Sequence, residues 1–220
     1  MSRRLRIDVF FDFICPWCLI GKRQLEHAQV QFRSRHPDVQ ITTAWHGVQL
    51  LPQLPVEGEP FADFYRKRLG NAQAVTMRQA QVQQAAREVG LAIDLGRIAT
   101  MPNTADAHRL FERASALGNA IQREMLLERL FAAYFRKGEN LGCRETLLTI
   151  ARSCGIDTDR VLDCLKSDGT PFDGSPGATS GVPGFQFDGR VTVVGAQPAQ
   201  ALLGAMNEAL KERDRERQPA

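Results

Sequence analysis

The sequence predicts an α/β protein whose sheet-forming chain is interrupted by a large, all-helical insertion. Three observations lead to this prediction. A strand–helix–strand pattern occupies residues 5–45, a long stretch with only helical periodicity follows it, and a hairpin signal with a last helix closes the chain. Composition changes near residue 47 and across residues 168–184, which separates the three parts.

The first strand is predicted over residues 5–13, where apolar side chains alternate with polar ones. Pro16 suits the first position of the next helix, because its missing N–H costs nothing there. We expect this helix to end before Pro37 and a second strand to span residues 39–45. The apolar positions of the helix are Leu19, Ile20, Leu25, Ala28, Val30 and Phe32.

From Phe61 to Lys166 the pattern predicts only helices. Asn103 or Thr104 is expected to cap the helix that follows them, and residues 121–135 form the strongest helix, central to the insertion. The predicted helix ends are each followed by a glycine, at Gly90, Gly118, Gly138 and Gly155.

The chain then returns to sheet structure. Asp188 and Gly189 lie between two alternating runs, which is typical of a tight hairpin, and a last helix follows. We therefore predict a discontinuous sheet-containing domain from residues 1–49 and 181–220, with residues 50–180 forming the helical insertion and its linkers.

Composition excludes several classes of function. The 220 residues carry a formal net charge of only +3, which favours neither a nucleic-acid nor a membrane partner. The start of the chain lacks the pattern of a secretory signal, so we expect a cytoplasmic protein whose thiols are kept reduced. Five cysteines are an odd number, which argues against a framework of structural disulfides.

The motif Cys15-Pro16-Trp17-Cys18 joins the first strand to the first helix. In that position Cys-x-x-Cys indicates a redox pair, because the helix N-terminus favours the Cys15 thiolate and Cys18 lies one turn further on the same face. Half of a zinc site and two buried structural cysteines are the alternatives. Zinc would need a second ligand pair, and no other Cys-x-x-Cys or His-x-x-x-His is present, so we expect no metal.

The chain resembles the DsbA family of thiol–disulfide oxidoreductases, and more narrowly the FrnE-like branch, which is related to 2-hydroxychromene-2-carboxylate isomerase and the kappa-class glutathione transferases. The matching stretches are Asp12 to Cys18 with Gly21, Asn103-Thr104 with Ala107 to Leu110, Phe131 to Phe135 with Gly138, Gly181-Val182-Pro183, and Val194 to Gln197. This resemblance implies a thioredoxin fold with the helical insertion.

The resemblance also implies roles for single residues. Pro183 would be the cis-proline of the fold, lying across from Cys15, and the backbone of Val182 would bind an extended peptide or glutathione. Asp12, Asn103 and His108 are candidates for lining the site. The isomerase and transferase relatives have serine where Cys15 stands, so their chemistry is not directly implied.

We therefore expect an enzyme that exchanges a Cys15–Cys18 disulfide or dithiol with protein, peptide or small-molecule thiols through a mixed disulfide. No cofactor is expected, with glutathione as a candidate co-substrate, and the protein would be a monomer or homodimer. The first alternative is a glutathione-dependent isomerase or transferase on the same fold. The second is a chaperone-like module that binds peptides. Cys154 and Cys164 are expected to be small buried hydrophobic residues, and a second redox pair of Cys143 with Cys154 is the alternative.

Overall fold

The computed structural model describes residues 3–174 and 181–216. In chain order, the strands and helices are β1 (Arg3–Phe11), α1 (Pro16–Arg35), β2 (Val39–Gly47), β3 (Glu59–Pro60), α2 (Phe61–Leu69), α3 (Ala72–Glu88), β4 (Thr100–Met101), α4 (Ala105–Leu117), α5 (Ala120–Lys137), α6 (Arg144–Ser153), β5 (Gly184–Phe187), β6 (Val191–Val194) and α7 (Ala199–Glu216). Single 3₁₀ turns lie at Leu95–Arg97, Thr158–Arg160 and Leu162–Cys164.

The chain divides into two compact units. The sheet unit comprises the described parts of Met1–Phe11, Trp17–Val48 and Gly174–Ala220, and the helical unit comprises Asp12–Pro16 and Gln49–Asp173. The domain boundary predicted at residue 180 and the last four residues of the predicted segment 181–220 lie outside the described residues. Among the helices of the described residues, none combines the length and apolar character that a bilayer crossing requires.

The sheet unit contains a four-stranded sheet in the order β2-β1-β5-β6. Strand β1 runs parallel to β2 and antiparallel to β5, and β5 pairs antiparallel with β6. Apolar residues of β1 and β5 pack with residues of α1 and α7 in one buried core, because both helices turn an apolar face to the sheet. The predicted β-α-β and β-β-α segments therefore form a single sheet.

Strand β1 differs from its prediction in two ways. It ends at Phe11 and not at Phe13, because the chain turns at Asp12. On the face expected to be polar, Asp8 is buried and only 7% exposed, whereas Arg4 and Arg6 are exposed, as expected for that face. Asp8 is buried because the side chains of Arg6 and His46 contact its carboxylate, with the Arg6 guanidinium at 2.7 Å and the His46 Nε2 at 2.7 Å.

Helix α1 has the predicted start and end, with one wrong apolar position. Val30 is 65% exposed, whereas Ala28 and Phe32 are fully buried. The latter two are one turn apart and share the face toward the sheet, so Val30 between them points to the other side.

The helical unit is built around α5, as predicted, and seven residues of this helix are buried: Leu126, Leu127, Leu130, Phe131, Ala133, Tyr134 and Phe135. The expectation of only helices has one exception. Strands β3 and β4 form a two-residue antiparallel ribbon, which is separate from the four-stranded sheet. A ribbon this short carries no alternating pattern from which it could be predicted.

The predicted helix caps are mostly present. Gly138 has the left-handed φ of +68° after α5, and a Cβ there would lie 2.3 Å from the backbone oxygen of Arg97. Gly118 follows α4 but is not a left-handed cap, since its φ is −96°. At the start of α4 the capping side chain is that of Asn103, whose Oδ1 accepts a hydrogen bond from the Ala105 N–H at 3.0 Å.

The hairpin between β5 and β6 has the predicted turn. Asp188 and Gly189 have φ values of +50° and +71°, the left-handed region that Asp-Gly favours in two-residue loops. The Asp188 carboxylate also accepts a hydrogen bond from the Arg6 N–H at 2.7 Å, which ties the turn to β1.

Candidate active site

Cys15 is the last residue before helix α1, and Cys18 is the third residue of that helix. Pro16 occupies the first helical position, as predicted. Cys15 is 7% exposed and Cys18 is 2% exposed, and neither takes part in a disulfide in the structure. The Cys15 sulfur thus stands where unpaired N–H groups and the positive end of the helix dipole stabilise an anion.

The turn before Cys15 is held by Asp12. The Cys15 N–H donates to the Asp12 carbonyl oxygen at 3.1 Å. The Asp12 carboxylate accepts hydrogen bonds from the backbone N–H groups of Ile14, at 3.4 Å, and of Leu50, at 2.8 Å. A short polar side chain that binds nearby main chain fixes a turn in this way. Asp12 therefore helps to set the position of Cys15.

His108 completes the surroundings of Asp12. Its Nε2 lies 3.1 Å from the Asp12 Oδ1, and both side chains are fully buried. The imidazole lies between two aromatic rings, with centroids 5.0 Å from Phe13 and 5.1 Å from Phe172. The structure thus brings two of the predicted site-lining residues together as a buried pair that supports the Cys15 turn.

Asn103, the third predicted site-lining residue, is engaged with the main chain and one neighbouring side chain. Its Oδ1 caps α4 and also accepts a hydrogen bond from Gln49 Nε2 at 2.8 Å, while its Nδ2 donates to the Leu54 carbonyl at 2.7 Å. The Oε1 of Gln49 accepts a hydrogen bond from the Phe172 N–H at 2.7 Å. Asn103 therefore organises the segments around His108.

A small pocket, with an accessible volume of about 20 Å³, opens in the helical unit at the two chain neighbours of Cys15. Both chain neighbours of Cys15 belong to its lining, which consists of Ile14, Pro16, Phe61, Tyr65, Arg78, Gln79, Val82, Leu95, Tyr134 and Phe135. The wall is mainly aromatic and aliphatic, and none of these ten residues is acidic. The three predicted site-lining residues do not line this pocket.

Tyr65 is the functional candidate that the sequence analysis missed. Burial raises the pKa of its hydroxyl and the charge of a thiolate at Cys15 raises it further, which together outweigh the lowering by Arg68 and Arg78. The ring packs on Phe61 with centroids 4.7 Å apart, and on Phe64 with centroids 5.4 Å apart. The only signal in the sequence is that this tyrosine belongs to an aromatic cluster at the start of the insertion.

Val182 and Pro183 lie in the sheet unit, immediately before β5. The peptide bond between them is cis, the isomer that the family resemblance implies. The Pro183 carbonyl accepts a hydrogen bond from the Gly195 N–H at 2.8 Å. Helix α1 approaches Pro183 so closely that a Cβ on Gly21 would lie 2.9 Å from the proline Cγ. Gly21 is therefore required by close packing.

The remaining cysteines lie in the helical unit. Cys154 is 3% exposed, as predicted, and burial raises the pKa of its thiol. Cys164 is only half-buried, contrary to prediction, because it sits in a surface 3₁₀ turn where its thiol donates to the Val161 carbonyl at 3.0 Å. Burial still raises the pKa of Cys164 to about 11. The Cys143 thiol donates to Glu145 at 3.2 Å, and no disulfide joins it to Cys154.

Solved structures share this architecture. The protein from Streptomyces coelicolor described as "probable DsbA oxidoreductase" superposes with a TM-score of 0.79 at 25% identity, over 98% of this chain and 92% of that one. A 2-hydroxychromene-2-carboxylate isomerase superposes with a TM-score of 0.64 at 15% identity, over 97% of this chain and all of that one. The predicted thioredoxin fold with a helical insertion is thereby confirmed.

Sequence comparison gives the same assignment. The uncharacterized protein YwbO of Bacillus subtilis (strain 168) is 25% identical over 163 residues, which are 74% of this chain and 72% of that protein. Residues 6–171 match the sequence profile of the DSBA-like thioredoxin domain. That match spans the strand before Cys15, the Cys-x-x-Cys motif and nearly the whole helical insertion, and the chain belongs to the family of DSBA-like thioredoxin domains.

Proposed function

We propose that this protein catalyses thiol–disulfide exchange through Cys15 and Cys18. The Cys15 thiolate attacks one sulfur of a substrate disulfide, so that a mixed disulfide forms and one substrate thiolate leaves. The Cys18 thiolate then attacks the Cys15 sulfur and releases the second substrate thiolate. In total, two electrons pass from the protein dithiol to the substrate, and the same steps in reverse oxidise a substrate dithiol.

The position of Cys15 at the start of α1 carries this proposal. A thiolate is both the attacking group and the leaving group in exchange, and the helix N-terminus stabilises it in each role. The turn held by Asp12 fixes that position. The family assignment and the likeness to a protein described as a probable DsbA oxidoreductase support the same chemistry.

The proposed substrates are disulfides or thiols of proteins, peptides or small molecules in the cytoplasm. Glutathione is the proposed co-substrate that regenerates the dithiol, and no metal or other cofactor takes part. Val182 and Pro183 are the proposed main-chain binding segment for an extended substrate, since a strand edge can pair with such a chain.

Single cysteine substitutions test the proposal. We expect Cys15→Ser to abolish turnover of hydroxyethyl disulfide with glutathione, and Cys18→Ser to accumulate a mixed disulfide that mass spectrometry places on Cys15. Cys154→Ser is the matched control, because this thiol is buried in the helical unit and lies outside the motif.

Two outcomes would contradict the proposal. Full disulfide turnover by Cys15→Ser would remove the nucleophile from the mechanism. Loss of turnover without any trapped adduct in Cys18→Ser would show that Cys18 does not resolve a mixed disulfide on Cys15.

A further inference from the structure

The pocket beside Cys15 contains one hydroxyl that has no hydrogen-bond partner among the described residues. Two tyrosines, Tyr65 and Tyr134, line this pocket, and they are the two tyrosines of the chain. The Tyr134 hydroxyl is buried and donates to the Met101 sulfur at 3.6 Å. Among the hydrogen bonds of residues 3–174 and 181–216 there is none from the Tyr65 hydroxyl. Tyr65 therefore offers a donor to whatever enters the pocket.

The wall of the pocket offers a hydrogen-bond donor and a positive charge. Burial and the charge of a thiolate at Cys15 raise the pKa of the Tyr65 phenol and outweigh the lowering by Arg68 and Arg78, so the hydroxyl keeps its proton and can donate. Arg78, on the same wall of the pocket, has no acidic partner among the described residues, and its guanidinium donates at 2.9 Å to Gln81 on its own helix. A donor hydroxyl and a positive charge, with no carboxylate in the lining, match a negatively charged ligand atom.

The exchange reaction creates such an atom. When the Cys15 thiolate attacks a disulfide, the outgoing sulfur gains negative charge as the bond between the two substrate sulfurs breaks. The attacking, central and outgoing sulfurs lie in line, so the outgoing sulfur is placed beyond the attacked one in the space next to Cys15. The pocket that begins at Ile14 and Pro16 adjoins this space, and its accessible volume of about 20 Å³ is enough for the outgoing sulfur but not for the group attached to it.

We propose that Tyr65 is a catalytic residue, whose hydroxyl donates a hydrogen bond to the outgoing sulfur of a substrate disulfide at the mouth of the pocket beside Cys15. This inference rests on the proposed exchange function and names a participant in it. The Cys15–sulfur bond forms, the substrate disulfide breaks, and the outgoing thiolate leaves with its electron pair. The Tyr65 proton remains on oxygen, and the released thiolate takes its proton from water.

The test is the dependence of rate on the basicity of the leaving thiol. The reduced protein would be mixed with disulfides that pair 2-mercaptoethanol with 4-nitrothiophenol, thiophenol, trifluoroethanethiol or a second 2-mercaptoethanol. A more basic thiolate accepts a stronger hydrogen bond, so removal of the donor slows exchange most for the most basic leaving group. Compared with wild type, we expect Tyr65→Phe to react about tenfold more slowly with the disulfide of two 2-mercaptoethanol molecules. With the 4-nitrothiophenol disulfide it should react less than about twofold more slowly.

Tyr134→Phe is the matched control, because the same hydroxyl is lost from the same pocket but was bound to Met101. We expect it to keep the wild-type slope of log rate against leaving-thiol pKa. A further measurement replaces tyrosine by 3-fluorotyrosine in the Tyr134→Phe protein, which alters Tyr65 alone. Its more acidic hydroxyl is a stronger donor, so the slope should become shallower.

The outcomes separate this inference from the proposed function. If the plots of log rate against leaving-thiol pKa have the same slope for wild type and Tyr65→Phe, the proposed role of Tyr65 is wrong, while exchange through Cys15 stands. The same holds if 3-fluorotyrosine leaves the slope unchanged. If wild-type protein fails to react with any of the disulfides, the exchange function itself is wrong.

Discussion

Replacement of His108 by phenylalanine tests whether the buried pair with Asp12 stabilises the protein. Phenylalanine keeps an aromatic ring between Phe13 and Phe172, which lie 5.0 and 5.1 Å from the imidazole centroid. It removes Nε2, which is 3.1 Å from the Asp12 carboxylate. The change therefore removes this polar interaction without opening a cavity.

The magnitude follows from the burial of both side chains. Loss of the hydrogen-bond partner of a buried polar group costs about 1–3 kcal/mol, because that group stays desolvated. The Asp12 carboxylate keeps its backbone donors at Leu50 and Ile14, so the middle of this range applies. We expect the free energy of unfolding to fall by about 2 kcal/mol, or the Tm by about 4–8 °C for a chain of this size.

Urea unfolding of four proteins measures this value: wild type, His108→Phe, Asp12→Asn and the double variant. Asp12→Asn replaces the buried carboxylate by an amide, which is a weaker hydrogen-bond acceptor, so His108→Phe should cost about 1 kcal/mol less in that background. A loss below about 0.5 kcal/mol in His108→Phe, or additive effects in the double variant, would refute the reasoning.

Three further predictions concern packing and ionisation. Gly21→Ala forces a Cβ against Pro183 and should lower the free energy of unfolding by about 1–3 kcal/mol. Gly204→Ala has open space around it and should raise the free energy of unfolding by about 0.5–1 kcal/mol. Equal urea midpoints for the two variants would contradict this prediction. Burial opposes ionisation of Asp8, but the hydrogen bonds and charges of its two cationic partners outweigh it and hold the pKa of that carboxyl below 3.8. The stability that the ionised Asp8 contributes is therefore present above about pH 4 and is lost as the pH falls through the lowered pKa. The difference in Tm between wild type and Asp8→Asn should narrow at about pH 3. A difference in Tm that does not change with pH would contradict this prediction. Because the pKa of Cys164 is raised to about 11, iodoacetamide at pH 8 should alkylate it about twentyfold more slowly than free cysteine, as peptide mapping would show.

The parts of the fold that follow from short-range chemistry could be predicted from the sequence. The Asp188-Gly189 turn requires left-handed φ values, and Pro16 marks the first turn of a helix, so each signal is contained in one or two residues. The burial of Asp8 in β1 could not be predicted in this way. It depends on contact with His46 of β2, which is 38 residues away in the chain.

In the candidate site, too, the features contained in a few consecutive residues could be predicted, and those that depend on distant residues could not. The motif at Cys15 carries its meaning in four consecutive residues, whereas Asp12 and His108 were separate candidates whose pairing spans 96 residues of sequence. Tyr65 has no motif, since its significance arises from a pocket wall shared with the neighbours of Cys15. Its hydroxyl is notable for the absence of a protein partner among the described residues, which no sequence pattern reports.

The sheet order has a consequence for synthesis of the protein on the ribosome. Strand β1 can pair with β2 as soon as residue 47 has emerged, but its other edge waits for β5, which begins at residue 184. At about 5–20 residues per second, the intervening chain takes roughly 7 to 27 seconds to translate. During that interval the nascent chain exposes an apolar strand edge that can pair with other chains. A ribosome stalled within the insertion would leave this edge of β1 unpaired. We therefore expect ribosome-associated chaperones to bind β1 until the hairpin β5–β6 emerges.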